Sequence, residues 1–265
     1  KAALQQTQHC PLVIVGGTNG KGSTCAYLEA IYTAAGYCVG CYTSPHLLDY
    51  NERVRVDRAP VDDAALCLAF AKVESARLMA GNVALTYFEF GTLAAWEVFA
   101  ARGVDLIVLE VGLGGRLDAV NVYEPDCSVV TGIALDHTDW LGSTREAIGF
   151  EKAGIYRAGR VAICADPEPP QSLIDHAISI GADLKLIGHD FSFSADSTSW
   201  IYDGGEGSHY AGLPLPGLKG SCQLRNAAAV LALVDALQGK LPVPVEAIHQ
   251  GLAGPQLAGR FQIIP

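Results

Sequence analysis

The chain has 265 residues, half of them apolar, and carries a formal net charge of −10. This charge argues against a nucleic-acid or anionic-membrane surface, where a basic patch is expected. No apolar run approaches the roughly 18 residues that span a bilayer, and residues 1–10 contain no signal-peptide core. The composition therefore predicts a cytoplasmic protein with one large core or two modest ones. The abrupt start without Met suggests a fragment.

The first predicted strand, residues 11–15, runs into a glycine-rich turn that carries Lys21, and a helix is predicted to follow. Strand, glycine-rich loop and helix form the context of a phosphate-binding P-loop, in which backbone N–H groups and a lysine surround the phosphates. The general pattern requires a glycine and a hydroxyl where this chain has Val15 and Gly22, and the first hydroxyl comes at Ser23. The other interpretation is an ordinary turn between a strand and a helix.

The second predicted strand, residues 37–43, contains the one close pair among the eight cysteines, Cys38 and Cys41. Residues three apart on a strand point to opposite faces, which argues against a redox or zinc site. The cysteines are expected to be small core residues in a reducing compartment. The strand ends before Ser44, where α/β proteins place ligands. Residues 51–60 are rich in charge and are expected to form a solvated loop.

A helix capped by Asp62 or Asp63 is predicted to reach about residue 79. Two aromatic residues and an acid, Tyr87, Phe88 and Glu89, then lead into another helix. Such aromatics either line a pocket for a flat ring or form the buried entry to the helix. The sequence by itself leaves both interpretations open.

The apolar run 104–110 ends in Glu110, as a strand buried on both faces of a parallel sheet would. An acid at this strand end fits a magnesium-binding position, and a solvated carboxylate is the alternative. Three glycines follow within 112–115, where the backbone can pass close to a ligand. A dinucleotide fingerprint is disfavoured because position 117 lacks the required glycine.

Another strand is predicted over 127–133, and a cluster of ligand-type side chains around His137 follows it. A histidine between two aspartates at a strand end is a candidate for a site, although a polar loop residue is equally expected. Ser143 and Glu146 have the spacing of a capping box for the next helix, which carries Lys152. An ion pair is the simplest role for Lys152, because a plain ammonium cannot bind Mg²⁺.

The remaining chain predicts a β-α-β unit over 160–187, a small antiparallel insert at about 188–216 and two helices after residue 220. The fold class expected from these elements is α/β, namely a P-loop ATPase domain with a mostly parallel sheet flanked by helices. We find neither an internal repeat nor a low-complexity segment.

Several separated motifs together resemble the family of folylpolyglutamate synthases and dihydrofolate synthases, relatives of the muramyl ligases. These motifs are residues 17–23, 43–47, 85–92, 109–121, 135–142, 150–155 and 255–262. The resemblance implies an ATP-dependent ligase that adds L-glutamate to dihydropteroate and to reduced folates through an acyl phosphate. The alternative is a P-loop regulator that binds nucleotide without making a bond. A monomer without a nucleic-acid or membrane partner is expected.

The resemblance also implies roles for individual residues. The ATP site would contain Thr18, Asn19, Gly20, Lys21, Gly22, Ser23, Asn226 and Arg260. The dihydropteroate site would contain Thr86, Tyr87, Phe88, Glu89, Leu117, Asp118 and Ala119. Two Mg²⁺ ions would be held by Ser44, Glu110, His137 and Lys152, the last as a carbamate, and K⁺ is a further ion that the resemblance allows. Lys21, His137 and Lys152 would take part in catalysis.

The same resemblance implies the domain organisation. Residues 1–258 would form the ATPase domain, and residues 259–265 would begin a linker to a C-terminal glutamate-ligase domain that this chain lacks. An N-terminal segment that contributes to the pteroate pocket in the family would be absent too.

Overall fold

A computed structural model describes residues 1–205, 208–255 and 257. The strands of the larger sheet are β1 (Leu12–Gly16), β2 (Val39–Tyr42), β3 (Val54–Val56), β4 (Ala59–Pro60), β5 (Leu106–Glu110), β6 (Cys127–Val130), β7 (Val161–Cys164) and β8 (Asp183–Leu186). A second sheet contains β9 (Ser192–Ala195), β10 (Ser199–Asp203) and β11 (His209–Pro214). The α-helices are α1 (Lys21–Ala34), α2 (Asp63–Met79), α3 (Tyr87–Arg102), α4 (Thr138–Leu141), α5 (Arg145–Ala153), α6 (Gln171–Ile180), α7 (Gln223–Leu237) and α8 (Val245–Ala253). Short 3₁₀ helices cover Ala2–Leu4, Tyr50–Arg53 and Ala119–Val122.

The larger sheet has the strand order β4-β3-β2-β5-β1-β6-β7-β8. Neighbouring strands in the series β2-β5-β1-β6-β7-β8 are all parallel. Strands β3 and β4 extend the sheet at the β2 edge and are antiparallel. Since parallel strands end at the same edge of a sheet, the loops after β1, β2, β5 and β6 meet there. This mostly parallel sheet confirms the predicted fold class.

Helices cover both faces of this sheet, and alternate residues of β1 point into different cores. Val13 and Val15 pack with α1, α7 and α8, whereas Leu12 and Ile14 pack with α2, α3, α5 and α6. Burial on both faces explains why the strands are nearly continuous apolar runs. Among the described residues, no helix combines the length and the apolar character needed to cross a membrane.

The two cysteines of the second strand point to opposite faces, as predicted. Cys41 belongs to the core beneath α1, and Cys38 packs against the core on the other side of the sheet. All eight cysteines are free thiols. A shared site for this pair is therefore excluded by geometry.

The antiparallel insert is confirmed as the sheet of β9, β10 and β11. It is fastened to α7 by Asp235, whose carboxylate accepts hydrogen bonds from the Tyr202 hydroxyl at 3.0 Å and the Tyr210 hydroxyl at 3.2 Å. The Ser208 hydroxyl donates to the same carboxylate. Burial raises the pKa of Asp235.

The prediction of a solvated loop over 51–60 is wrong, because this stretch supplies strands β3 and β4. Arg55 of β3 reaches across the sheet edge to Glu29 of α1 and forms an ion pair at 3.0 Å. The charges that suggested solvent exposure are thus partly buried against one another. The alternation of apolar and polar residues in β3 covers only three positions, Val54–Val56, which is too short to predict a strand from the sequence.

The predicted capping box at Ser143 and Glu146 is also wrong. Helix α5 is capped by Thr144, whose hydroxyl accepts a hydrogen bond from the N–H of Ala147 at 3.1 Å. The carboxylate of Glu146 instead accepts from the backbone N–H of Ser172 at 2.8 Å, at the start of α6. Glu146 therefore binds the N-terminus of α6 in place of that of its own helix, because both helix ends offer N–H groups that lack a partner within the helix.

Candidate active site

The glycine-rich loop between β1 and α1 is joined by hydrogen bonds to the segment that follows β6. The N–H of Thr18 donates to the carbonyl of Gly132 at 2.6 Å, and its hydroxyl both donates to and accepts from the backbone of Ala134, at 3.2 and 3.1 Å. The hydroxyl of Thr131 donates to the carbonyl of Asn19 at 2.6 Å. Four hydrogen bonds thus link the loop to the segment that follows β6.

Two glycines of this loop have backbone angles that side chains disfavour. Gly17 has a φ of 137° and Gly20 a φ of 96°. The Nζ of Lys21 folds over the loop and donates to the carbonyls of Gly17 at 3.0 Å and of Thr18 at 3.3 Å. Since α1 begins at Lys21, its N-terminal N–H groups and this ammonium face the same space, which suits a polyphosphate.

Helix α7 supports the loop from behind. Gln223 donates to the hydroxyl of Ser23 at 3.2 Å, and Asn226 donates to Gln223 at 3.2 Å. Asn226 also lies against Gly20, where a Cβ atom would meet its Oδ1 at 2.6 Å. Ser23 and Asn226, two residues expected at the ATP site, are therefore buried beneath the loop.

The ends of β2 and β5 are tied together at the predicted metal position. Glu110 is buried at the end of β5, and its Oε2 accepts a hydrogen bond from the backbone N–H of Ser44 at 2.9 Å. A carboxylate and a hydroxyl side by side are oxygen ligands of the kind that Mg²⁺ prefers. Within residues 1–205, 208–255 and 257, no three His, Cys, Asp or Glu side chains gather as a metal-binding group.

Three residues expected in catalysis line one narrow cavity of about 30 Å³ at the mouth of the P-loop. Its walls contain Lys21, His137 and Lys152, together with Asp136 and residues 111–114. Lys152 is only 4% exposed. Burial, followed by repulsion from the charge of Lys21, lowers the pKa of the Lys152 ammonium to about 8, while Asp136 acts in the opposite sense.

Gly115 allows the backbone of α5 at Lys152 to pack closely against the loop that follows β5. A Cβ atom on Gly115 would meet the carbonyl oxygens of Glu151 and Lys152 at 2.8 and 3.0 Å. The N–H of Arg116 donates to the carbonyl of Glu151 at 2.8 Å, which fixes α5 against this loop. Gly115 therefore permits the close packing of α5 against this loop.

His137 occupies the N-cap of α4 in a left-handed conformation with a φ of 48°. Its N–H donates to the carboxylate of Asp136 at 2.9 Å, and its exposed ring lies 3.7 Å from the same carboxylate. The ring is thus held at the cavity rim, and its role as a metal ligand stays a prediction.

The expected dihydropteroate residues divide into two groups. Thr86 and Glu89 form a capping box for α3, in which the N–H of Glu89 donates to the Thr86 hydroxyl at 3.2 Å and the N–H of Thr86 donates to Glu89 at 2.7 Å. Both side chains are thus occupied in starting the helix. Phe88 lies against Gly112 and 5.6 Å from the ring of Tyr42.

The other group stands in the loop after β5. The carboxylate of Asp118 accepts from the N–H of Leu113 at 2.9 Å and of Val120 at 3.0 Å, and burial raises its pKa. Leu117 is 80% exposed and Tyr87 63%, although both are large and apolar. Exposed apolar side chains beside a glycine-rich loop suit a flat organic ligand, and Ala119 follows directly.

Sequence reasoning missed a buried acid that supports this site. Asp166, just after β7, accepts from the backbone N–H of Ile133 at 2.6 Å and from Arg145 at 3.0 Å. Arg145 also donates to the carbonyl of Ile133 at 3.0 Å. Asp166 thereby holds the segment that contacts the P-loop. The position of Asp166 directly after a predicted strand of the parallel sheet could have indicated its role, because functional sites of α/β proteins lie at that edge.

Arg260, predicted as an ATP contact, lies outside the described residues, as do residues 259–265 of the expected linker. The described part of the candidate site therefore contains the P-loop, the strand ends, α5 and the first turns of α3 and α7.

The sheet, the P-loop and this cavity define an α/β P-loop protein. The family model of the Mur ligase middle domain matches residues 15–234, and the chain belongs to the Mur ligase family. The dihydrofolate synthase/folylpolyglutamate synthase of Escherichia coli (strain K12) is 48% identical to it over 264 residues, which are 99% of this chain and 60% of that protein. The chain thus spans about 60% of the length of this relative.

Two solved structures have the same fold. Escherichia coli FolC in complex with DHPP and ADP matches with a TM-score of 0.93 at 46% identity, covering 100% of this chain and 62% of that one. A bifunctional folylpolyglutamate synthase/dihydrofolate synthase with Mn, AMPPNP and L-glutamate bound matches with a TM-score of 0.91 at 45% identity, with the same coverage. These comparisons confirm the family resemblance that the sequence motifs carried.

Proposed function

We propose that the protein containing this chain is an ATP-dependent ligase that joins L-glutamate to dihydropteroate and to reduced folates. The observation that carries the proposal is the convergence of Lys21, His137 and Lys152 on one cavity at the mouth of a P-loop. Relatives have been solved with ADP and DHPP and with AMPPNP, Mn and L-glutamate, which supports the same substrates here.

The reaction is expected to proceed through an acyl phosphate. A carboxylate oxygen of the acceptor attacks the γ-phosphorus of ATP, and the bond to the β-phosphate oxygen breaks to release ADP. The amine nitrogen of glutamate then attacks the acyl carbon, the tetrahedral intermediate expels phosphate, and the nitrogen loses a proton. Phosphate is the better leaving group, and the protein supplies position and charge rather than a covalent nucleophile.

The residues of this chain divide that work. The backbone N–H groups of residues 17–23 and the ammonium of Lys21 would hold the phosphates. Tyr87, Phe88, Leu117 and Ala119 would form the apolar wall for the pteroate ring. Glu110 and Ser44 would hold Mg²⁺, which neutralises phosphate charge when bound, and a carbamate on Lys152 would offer oxygens to a second ion.

The test is product analysis of the complete protein with ATP, Mg²⁺, L-glutamate and either dihydropteroate or a reduced folate. A ligase is expected to form one amide bond per ADP released, and only when both the acceptor and glutamate are present. A nucleotide-binding regulator would hydrolyse ATP at a rate indifferent to both substrates and would form no glutamylated product. That result would reject the proposal.

A further inference from the structure

Within the described part of the chain, Arg53 is an arginine beside the candidate active site that has no acidic partner. Its Nε donates a hydrogen bond to Nδ1 of His46 at 2.7 Å. Its guanidinium carbon lies 5.7 Å from the ring centre of Tyr50 and 5.4 Å from that of Tyr87. Among the residues that the structure describes, Arg53 forms no ion pair with an Asp or Glu. Two aromatic rings and an imidazole nitrogen thus contact this cation.

Arg53 lies between the two parts of the site that the acceptor substrate must connect. Its carbonyl accepts the N–H of Thr43 at 2.9 Å, so its backbone adjoins the residue that precedes Ser44. On the other side, Tyr87 is the first residue of α3 and precedes Phe88 of the expected pteroate wall. The guanidinium therefore stands between the metal-side loop and that wall.

The surroundings of Arg53 suit a carboxylate ligand. A guanidinium presents its N–H groups as a flat fork that matches the two oxygens of a carboxylate. The neighbouring rings orient the fork through cation–π contact but do not neutralise its charge. A half-buried cation without a counter-ion loses part of its hydration, and a bound carboxylate would compensate that loss with charge-assisted hydrogen bonds. Arg53 is in this respect unlike Arg55, which is paired with Glu29 at 3.0 Å.

We propose that Arg53 binds the α-carboxylate of the glutamate tail of a folate acceptor, a group that does not react. This inference rests on the proposed ligase function and adds a basis for choosing between acceptors. Dihydropteroate has a single carboxylate, which must reach the phosphate of ATP near Ser44 and Glu110. A folate has a second carboxylate on its tail, and only this substrate gains the contact with Arg53.

The experiment compares Arg53→Gln with the wild-type complete protein in steady-state kinetics with both acceptors. We expect the KM for a monoglutamyl reduced folate to rise about 10-fold or more, as the loss of a charge-assisted contact predicts. The KM for dihydropteroate is expected to stay within about 2-fold, since that acceptor makes no such contact. Arg53→Lys keeps the charge but loses the fork, and it should recover only part of the folate affinity.

Arg102→Gln is the matched control, because this arginine is half exposed at the far end of α3 and lies 4.0 Å from Asp62. It should change neither KM. An equal rise of both acceptor KM values in Arg53→Gln would overturn the assignment, as would a rise confined to the KM for glutamate, which would assign Arg53 to the incoming amino acid. If Arg53→Gln does not fold, Arg53→Lys provides the same comparison. Absence of ligation in the wild type would reject the proposed function itself.

Discussion

The backbone N–H of Ser44 donates a hydrogen bond to the carboxylate of Glu110 at 2.9 Å. This contact joins the ends of two neighbouring parallel strands, β2 and β5, whose residues Tyr42 and Leu109 are paired in register. It places a hydroxyl and a carboxylate at the same edge of the sheet, beside the P-loop. The metal position that we propose would thus depend on strand pairing between residues 66 positions apart.

Glu110→Gln is expected to raise the Mg²⁺ concentration needed for half-maximal ligation by about 10-fold or more, because it removes one negative charge from an oxygen site. The amide oxygen can still accept from Ser44, so the free energy of unfolding should change by no more than about 1 kcal/mol. Metal titration and denaturant unfolding measure the two effects. Glu124→Gln, on an exposed acid, is the control. An unchanged titration together with a large loss of stability would identify Glu110 as purely structural.

Lys21→Ala should abolish ligation in the complete protein and leave its melting temperature nearly unchanged. Among the described residues, the Lys21 ammonium donates to two carbonyls of its own loop, whereas its charge is proposed to balance the β- and γ-phosphates of ATP. Lys72→Ala removes an equally charged but exposed side chain and should retain activity. Wild-type turnover in Lys21→Ala would end the assignment of this loop to ATP.

Lys152→Ala should inactivate the complete protein, and a short carboxylate such as acetate should restore part of the activity by replacing the oxygens of the proposed carbamate. The carbamate forms from the neutral amine. Because burial and Lys21 lower the pKa of Lys152 to about 8, its neutral fraction rises with pH, from about 10% at pH 7 to about 90% at pH 9.

At a fixed pressure of ¹³C-labelled carbon dioxide, the carbamate signal in an NMR spectrum should therefore grow between these two pH values in the wild type and be absent in Lys152→Ala. No signal at either pH and no rescue by any short acid would leave an ion pair as the role of Lys152.

Asp166→Ala should lower the free energy of unfolding by about 2–4 kcal/mol, because it leaves the buried N–H of Ile133 and one side of Arg145 without a partner. Asp175→Ala, which removes an exposed carboxylate from α6, should cost no more than about 0.5 kcal/mol. Denaturant unfolding of both variants gives the comparison. Equal stabilities would mean that Asp166 does not hold the segment next to the P-loop.

Thr86→Ala tests whether this residue caps a helix or binds the acceptor. Loss of the cap on α3 should cost about 1 kcal/mol, and Thr86→Ser, which keeps the hydroxyl, should cost much less. The KM for dihydropteroate is expected to change little in either variant. If Thr86→Ala raises that KM without a loss of stability, the predicted substrate contact is correct and the cap is incidental.

Much of the fold was predictable from local pattern. The apolar run before Gly16, the glycines around Lys21 and the acid at Glu110 each lie within a few residues, where periodicity and turn chemistry act. The alternation of strand and helix then implies a parallel sheet, whose strand ends share one edge. The family motifs added the expected roles of individual residues, which spacing alone left open.

Other features depended on the tertiary structure. Residues 51–60 form strands because β2 offers an unpaired edge and Glu29 offers a partner for Arg55. Glu146 binds the start of α6 rather than its own helix because α6 ends up next to it. Each of these outcomes is decided by which groups become neighbours after folding, and local spacing does not contain that information.

The sequence by itself thus determined the P-loop, the strand-end acid and the order of the elements, since each is written in a short run of residues. Only the tertiary structure decided that Lys152 comes within the field of Lys21, that Asp166 holds Ile133 and that Arg53 has two aromatic neighbours in place of an acid. The pKa of Lys152 and the neighbours of Arg53 both depend on burial and on contacts between residues that are distant in sequence, and these exist only in the packed chain.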